Sequence, residues 1–128
     1  MSILTNDLKE KWEALKAENP HLRIRNAAQD LGVSEAELLV TNIGNGVTVL
    51  KADFADLLQE VVKLDKVMAL TRNEECVHER KGVYVNPDFS SPHAQLFVGE
   101  DIDLRIFISA WKFGFSVLEG DRKSFQFF

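Results

Sequence analysis

The chain has a single cysteine, Cys76, and contains no basic residue between Asn26 and Leu50. One cysteine excludes an internal disulfide, which fits a reducing compartment such as the cytoplasm. No basic leader with an apolar core opens the sequence and no apolar run reaches the length of a membrane span, so we expect neither secretion nor membrane insertion. The net charge of -5 argues against nucleic acid as a partner.

The missing basic residues bear on the stretch "NAAQDLGVSEAELL", whose two short helical segments around Gly32 resemble a helix-turn-helix. A DNA-recognition helix needs cations for phosphates and donors for base edges, but acidic residues occupy the start of the second segment here. Ser34 and Glu37 have the spacing of a capping box, and Val33 and Leu38 that of a hydrophobic staple. We therefore expect a structural helical pair that binds no DNA.

The period of the apolar pattern changes near the middle of the chain. Before residue 65, apolar residues recur at intervals of three and four, as in amphipathic helices, and Asp53 is the predicted cap of the fourth helix. After it, six stretches alternate with period two: "KVMALTRN", "CVHERKGVYV", "AQLFVG", "DIDLRIFIS", "KFGFSVLEG" and "KSFQFF". This order predicts one α+β domain over residues 1–128, with N-terminal helices (1–64) packed on a mostly antiparallel β-sheet meander (65–128).

The sequence ends on "SFQFF", inside a predicted strand and without a turn or polar tail. A long aromatic strand at a sheet edge is a pairing hazard unless something covers it. We therefore expect a truncated C-terminal end, with a second repeat or a homodimer partner completing the sheet.

One strand carries a candidate binding site. In "EDIDLRIFIS" the isoleucines and Leu104 alternate onto one face, so that Arg105 and Phe107 share the opposite, non-core face. An arginine beside an aromatic ring suits a flat ligand that bears carboxylates. The alternative is a solvated strand face on which Arg105 pairs with a neighbouring acid, a common arrangement that contributes little.

Other residue types able to bind a metal are scattered. His78 shares a predicted strand face with Cys76, and His93 lies in a loop or at a strand start, but two such residues without further partners are a weak zinc signal. Tyr84 and Met68 are possible haem-iron ligands by residue type alone, and each is more simply a packed strand residue. No phosphate-binding glycine loop or nucleophile motif is present in the sequence.

Four separated blocks of the sequence resemble one protein family. The blocks "EKWEALKAENPHLRIRNAAQDLGVSEAELL", "VMALTRNEECVHERKGVY", "EDIDLRIFISAW" and "SFQFF" are similar, in this order, to the N-terminal repeat of the bacterial haem-degrading factors of the HemS and ChuS type. The resemblance implies helices around an antiparallel sheet, haem as ligand or substrate, and a role in iron acquisition from haem in the cytoplasm. Full-length members of the family carry two such repeats.

The resemblance also implies roles for individual residues. Arg105 in "DLRIF" matches the family arginine that faces haem on the side away from the iron-ligating histidine, and Phe107 follows it. That histidine has no counterpart here, and His78 matches a histidine that we interpret as structural. The resemblance implies oxidative haem degradation, but whether this chain is itself an enzyme stays open. A non-enzymatic dimerisation or interaction module without a haem site is the alternative hypothesis.

Overall fold

The computed structural model describes residues Ser2–Phe128, which form two compact units. Unit one comprises the described residues up to Leu50 together with Phe113–Phe128, and unit two is Lys51–Lys112. The helices are α1 (Ser2–Glu18), α2 (Ile24–Leu31), α3 (Glu35–Val40) and α4 (Phe54–Glu60), with short 3-10 helices at Val61–Leu64 and Ile108–Ala110. The strands are β1 (Val47–Val49), β2 (Lys66–Arg72), β3 (Val77–Val83), β4 (Pro87–Asp88), β5 (Gln95–Phe97), β6 (Leu104–Ile106), β7 (Gly114–Glu119) and β8 (Arg122–Phe127).

The first three helices of unit one pack around a small apolar cluster formed by Trp12, Ala27, Ala28 and Leu38. The predicted helix boundaries are confirmed. Gly32 ends α2 in the left-handed conformation with φ 70°, where glycine lacks the steric penalty of other residues. The capping box at the start of α3 is present, because the Ser34 side chain accepts a hydrogen bond from the Glu37 amide and the Glu37 carboxylate accepts one from the Ser34 amide.

The sheet of unit one is antiparallel, with strand order β1-β7-β8. Leu39 of α3 packs against Val47, Phe115 and Val117, so the helices cover one face of this sheet. The loop before β1 needs a glycine at position 46, where φ is 89° and a Cβ would lie 2.9 Å from the Leu118 carbonyl oxygen. This packing agrees with the prediction of N-terminal helices on an antiparallel sheet.

Unit two contains a two-stranded sheet, β2-β3, and a three-stranded sheet, β4-β5-β6, both antiparallel. The ring of Phe97, which is 0% exposed, makes edge-to-face contacts with Tyr84 at 4.8 Å and Phe89 at 5.6 Å between ring centroids. Ile102 is 1% exposed and adds to the buried part of this unit. The antiparallel strands and segregated helices of the two units confirm the α+β class.

Several details differ from the sequence-based expectation. The strands are divided among three sheets. Of the two additional short strands, β1 lies in the half that was predicted to be helical, and β4 lies between two of the six predicted strands. The predicted strand "DIDLRIFIS" is regular only at Leu104–Ile106, because its C-terminal end turns into a 3-10 helix. Such short strands are defined by distant pairing partners, as β1 is by β7, and local periodicity does not contain that information.

The predicted cap of α4 is also only half right. Asp53 does precede α4, but its side chain makes no capping hydrogen bond, and its backbone (φ -101°, ψ 63°) departs from the extended conformation of most caps. Its carboxyl group interacts instead with that of Asp56, and this hydrogen bond is the main reason why the pKa of Asp56 lies above its ordinary value. None of the helices over residues 2–128 combines the length and apolar character needed to cross a bilayer.

Candidate ligand-binding site

The exposed face of the segment around β6 carries the two candidate binding residues. Ile102 is buried and Leu104 partly buried, whereas Arg105 is exposed and Phe107 is 52% exposed, as the alternating pattern predicts. Arg105 lies opposite Leu96 of β5 in the register of the β5-β6 pair. The structure therefore presents a guanidinium and a half-exposed aromatic ring two residues apart, on the side of the segment that faces away from the buried isoleucine.

One acid that alternation places on the same face as Arg105, Asp101, is engaged elsewhere. The Asp101 carboxylate accepts a hydrogen bond from Arg80 Nη2 at 2.7 Å. Asp101 also packs closely over Gly82, where a Cβ would lie 2.5 Å from the Cβ of Asp101. Within residues 2–128 the Arg105 side chain forms no ion pair and no hydrogen bond. Within the described residues, Arg105 therefore does not form the ion pair with a neighbouring acid that the alternative predicts.

A buried amide fixes the chain immediately after Phe107. Gln95 is only 4% exposed, and its Oε1 accepts a hydrogen bond from the Ile108 amide at 3.0 Å while its Nε2 donates to the Ser91 carbonyl at 3.3 Å. The Ala110 amide then donates to the Phe107 carbonyl, which begins the 3-10 turn. Because a buried amide left without partners is costly, these bonds hold the end of the exposed face in one conformation.

An open cavity begins where the regular part of β6 ends. Its volume is about 430 Å³, which is within the range of small-molecule sites. Ile108, Ser109 and Gln95 line it, together with the rings of Phe54 and Trp111, which meet edge to face at 5.9 Å. The lining mixes these groups with further polar residues, Asp53 and Ser91, and it includes neither Arg105 nor Phe107.

The other residue types able to bind a metal lie on different elements of the structure. His78 is exposed on β3 opposite Thr71, His93 is exposed in the loop before β5, and His21 is exposed in the turn after α1. Tyr84 is partly buried against Phe97, and burial raises the pKa of its phenol, which opposes the phenolate form that a metal ligand requires. In the part of the chain that the structure describes, no three His, Cys, Asp or Glu side chains cluster as metal ligands.

Two residues that matter for this face were not singled out by the sequence analysis. In the sequence, Gln95 was only one polar residue of a predicted strand. Because it lies two residues before Phe97, the two side chains share one face of the strand, and this spacing could have indicated that Gln95 points inward. Alternation puts Asp101, four residues before Arg105, on the same strand face, but nothing in the sequence indicated that Arg80, twenty-one residues earlier, would bind it. Such long-range pairing becomes visible only in three dimensions.

The comparison with protein families agrees with this architecture. A family model described as the haemin-degrading HemS.ChuX domain matches residues 32–128, which include β6 and the whole of unit two. The chain belongs to this family. The resemblance predicted from the four sequence blocks is thereby confirmed.

Individual relatives of the family show the same likeness. The hemin transport protein HemS of Yersinia enterocolitica is 35% identical over 130 residues, which cover 98% of this chain and 37% of that protein. Apo-PhuS, a heme-binding protein from Pseudomonas aeruginosa, superposes with a TM-score of 0.90 at 43% identity, covering 97% of this chain and 37% of PhuS. The heme degrading enzyme ChuS of Escherichia coli O157:H7 has a TM-score of 0.89 at 29% identity, covering 97% and 38%. The chain spans a little over a third of the length of these relatives.

Proposed function

We propose that this chain binds haem through the face that carries Arg105 and Phe107, as part of a cytoplasmic bacterial protein that helps to release iron from imported haem. The observation that carries the proposal is the exposed guanidinium of Arg105, which has no ion-pair or hydrogen-bond partner among the described residues and lies two residues from the half-exposed ring of Phe107. An exposed arginine without an acidic partner keeps all its donors available for a ligand.

Haem fits the chemistry of this face. Its propionates are carboxylates that a guanidinium can bind in a fork, and its porphyrin ring is apolar and planar, which suits contact with the half-exposed ring of Phe107. When bound, haem supplies an iron centre at which oxygen chemistry takes place. The names of HemS, PhuS and ChuS, which refer to hemin transport, heme binding and heme degradation, support haem as the ligand class.

The chain's own residues contribute orientation and an apolar surface to the proposed site. Arg105 holds a negatively charged or polar group of the ligand, and Phe107 excludes water from its apolar part. Gln95 acts as a positioning residue, because its bond to the Ile108 amide fixes the backbone that follows Phe107.

The test is a titration of the purified chain with haemin, followed at the Soret absorption band. We expect saturable binding that Arg105→Ala weakens by roughly ten-fold or more, since a hydrogen bond to a charged group contributes about 1.5–3 kcal/mol. Arg122→Ala is the matched control, because Arg122 is also exposed on a strand but lies in unit one. Phe113→Ala is the control for Phe107→Ala, since the two rings are 54% and 52% exposed.

Equal effects of Arg105→Ala and Arg122→Ala, or no saturable band, would contradict the proposal. If the band is present, single substitutions of His21, His78, His93 and Tyr84 identify the iron ligand, because loss of the ligand shifts the band position and not only the affinity. The expected result for Tyr84→Phe is no shift, given the raised pKa of its phenol.

The second candidate function is an interaction module in which β8 pairs with a homodimer partner or with a second repeat. The observation in its favour is that β8 is the outer strand of the sheet of unit one and pairs, among the described residues, only with β7. The outer edge of such a strand is a template for another strand. This function predicts no Soret band and a dimer that is lost when Phe125 and Phe127 are both replaced by serine.

A further inference from the structure

The chain enters β6 through a short segment, residues 98–102, that has no regular secondary structure. Ile102 at its end is 1% exposed, and Arg105 follows three residues later. The strand β6 is only three residues long and, in the described chain, pairs only with β5. The position of the Arg105 backbone therefore depends also on how the 98–102 segment is held.

Two glycines let this segment approach its neighbours closely. At Gly82, which is buried on β3, a Cβ would lie 2.5 Å from the Cβ of Asp101 and 3.3 Å from its Cγ and Oδ2. At Gly99 a Cβ would lie 2.7 Å from Val85 Cγ2 and 3.0 Å from the Ile102 carbonyl oxygen. Neither glycine has a positive φ, so close contact, and not backbone conformation, excludes a side chain at both positions.

Two side-chain hydrogen bonds hold the same segment. Arg80 Nη2 donates to Asp101 Oδ1 at 2.7 Å, and Asn86 Nδ2 donates to the Val98 carbonyl oxygen at 2.8 Å. The side chains of the ion pair are 53% and 48% exposed, so the pair by itself contributes little to stability. Its effect is geometric, because it fixes the Asp101 side chain in the position where it lies against Gly82.

We propose that Gly82 is a positioning residue for the haem-binding face and that Arg80 supports it. The contact between Gly82 and Asp101 sets the point from which the chain enters β6, and it thereby places the Arg105 side chain. The inference rests on the proposed function of Arg105. Together with the Gln95 bond to the Ile108 amide, this contact holds the exposed face at both of its ends.

The distances indicate how strongly a side chain at position 82 would disturb this face. Ordinary van der Waals contact begins at 3.4 Å, so a methyl group at Gly82 would move Asp101 by about 1 Å. Ile102 follows Asp101 directly and is tightly packed, so the movement passes on towards β6. A binding group has to be held within about 0.5 Å of its productive position, and the expected movement exceeds this limit.

The first experiment follows the backbone amide resonances of the isotope-labelled chain by NMR without haemin. We expect Gly82→Ala to shift the resonances of the three residues of β6, although position 82 lies on another strand. In an Asp101→Gly chain the side chain that the new methyl group would meet is absent, so Gly82→Ala should leave these resonances in place there. Gly32→Ala, at a position in unit one where a Cβ meets no atom within 4 Å, is the control.

The second experiment is a haemin titration of a double-mutant cycle. We expect Gly82→Ala to raise the haemin dissociation constant about five-fold or more, because a displaced binding group loses affinity. In the Arg105→Ala chain the same substitution should change the constant by less than about two-fold, since a residue that acts through another adds nothing once that other is gone. A substitution that only destabilised the fold would act equally in both chains.

A milder variant tests the supporting role of Arg80 without a change inside the packed segment. Arg80→Ala should raise the haemin dissociation constant about two- to three-fold, and it should have no further effect in the Asp101→Gly chain. Lys81→Ala is the matched control, because Lys81 is the next residue of β3 and points to the opposite face. If Gly82→Ala does not fold, this pair of variants carries the test.

Three results would overturn the inference. Gly82→Ala could shift only resonances next to position 82, or it could weaken haemin binding as much in the Arg105→Ala chain as in the unaltered one. Equal effects of Arg80→Ala and Lys81→Ala would be the third. Absence of a saturable band in the unaltered chain would instead contradict the proposed function, and the amide resonances would then still decide whether Gly82 controls the position of β6.

Discussion

The two units of this chain use sheet surfaces differently. In unit one, helices cover a face of the β1-β7-β8 sheet, and Phe115 and Val117 are 2% and 4% exposed. In unit two, the β2-β3 pair exposes Met68 and Leu70 at 45% each, and Phe107, two residues from Arg105, is 52% exposed. Among the described residues, most large exposed apolar side chains belong to unit two, although the apolar content of the strands is similar.

The same alternating pattern of apolar and polar residues therefore occurs on a covered sheet face and on an open one. A face covered by helices supplies the free energy of folding, because burial of apolar surface is its dominant favourable term. A face left open keeps its apolar and charged groups available for a ligand or a second chain. The proposed ligand-binding face around Arg105 lies in unit two.

The largest expected effect comes from opening the covered sheet of unit one. Phe115→Ala should lower the free energy of unfolding by about 3–5 kcal/mol, because a buried ring leaves a cavity that its neighbours fill only in part. Denaturant unfolding followed by circular dichroism measures this. The control is Phe113→Ala, at 54% exposure, which should change stability by about 0.5 kcal/mol or less. Equal losses for the two variants would mean that the contrast between covered and open positions has no energetic consequence.

A smaller effect should separate the helix starts of the two units. Ser34→Ala removes the hydroxyl that accepts the Glu37 amide in unit one, so we expect a loss of about 1 kcal/mol. Asp53→Ala in unit two removes a side chain that makes no capping bond, and its cost should be well below that of Ser34→Ala. Thermal unfolding of the two variants, measured side by side, checks the order. A larger loss for Asp53→Ala would contradict it.

The smallest effect concerns the partly covered tyrosine of unit two. Tyr84 is the only tyrosine, so ultraviolet absorbance of tyrosinate follows it alone, and we expect its midpoint above pH 10 in the folded chain. Below about pH 10 the phenol is neutral in both states and its contribution to stability is complete. As the pH rises further, the unfolded state ionises first and the free energy of unfolding falls. If the titration midpoint of Tyr84 is the same with and without denaturant, its side chain is not buried in the folded chain.

The sequence predicted the local features of the fold well. The end of α2 at Gly32, the capping box at Ser34 and the alternation around Arg105 were all predicted from residues a few positions apart. The candidate face was predicted too, because an alternating pattern determines which side chains share a side of a strand. The roles of Arg105 and Phe107 in binding haem stay predictions.

What the sequence determined alone was therefore the class of the fold, the helix boundaries and the composition of the exposed face, since period and capping are properties of neighbouring residues. Only the tertiary structure decided which strands pair and which acid meets which base. The pairing of β1 with β7, which brings Val47 opposite Val117, joins segments far apart in the chain. Likewise, Asp101 binds Arg80 and leaves Arg105 available because folding brings β3 to the segment before β6. Such choices depend on burial and geometry summed over distant segments, which local pattern does not contain.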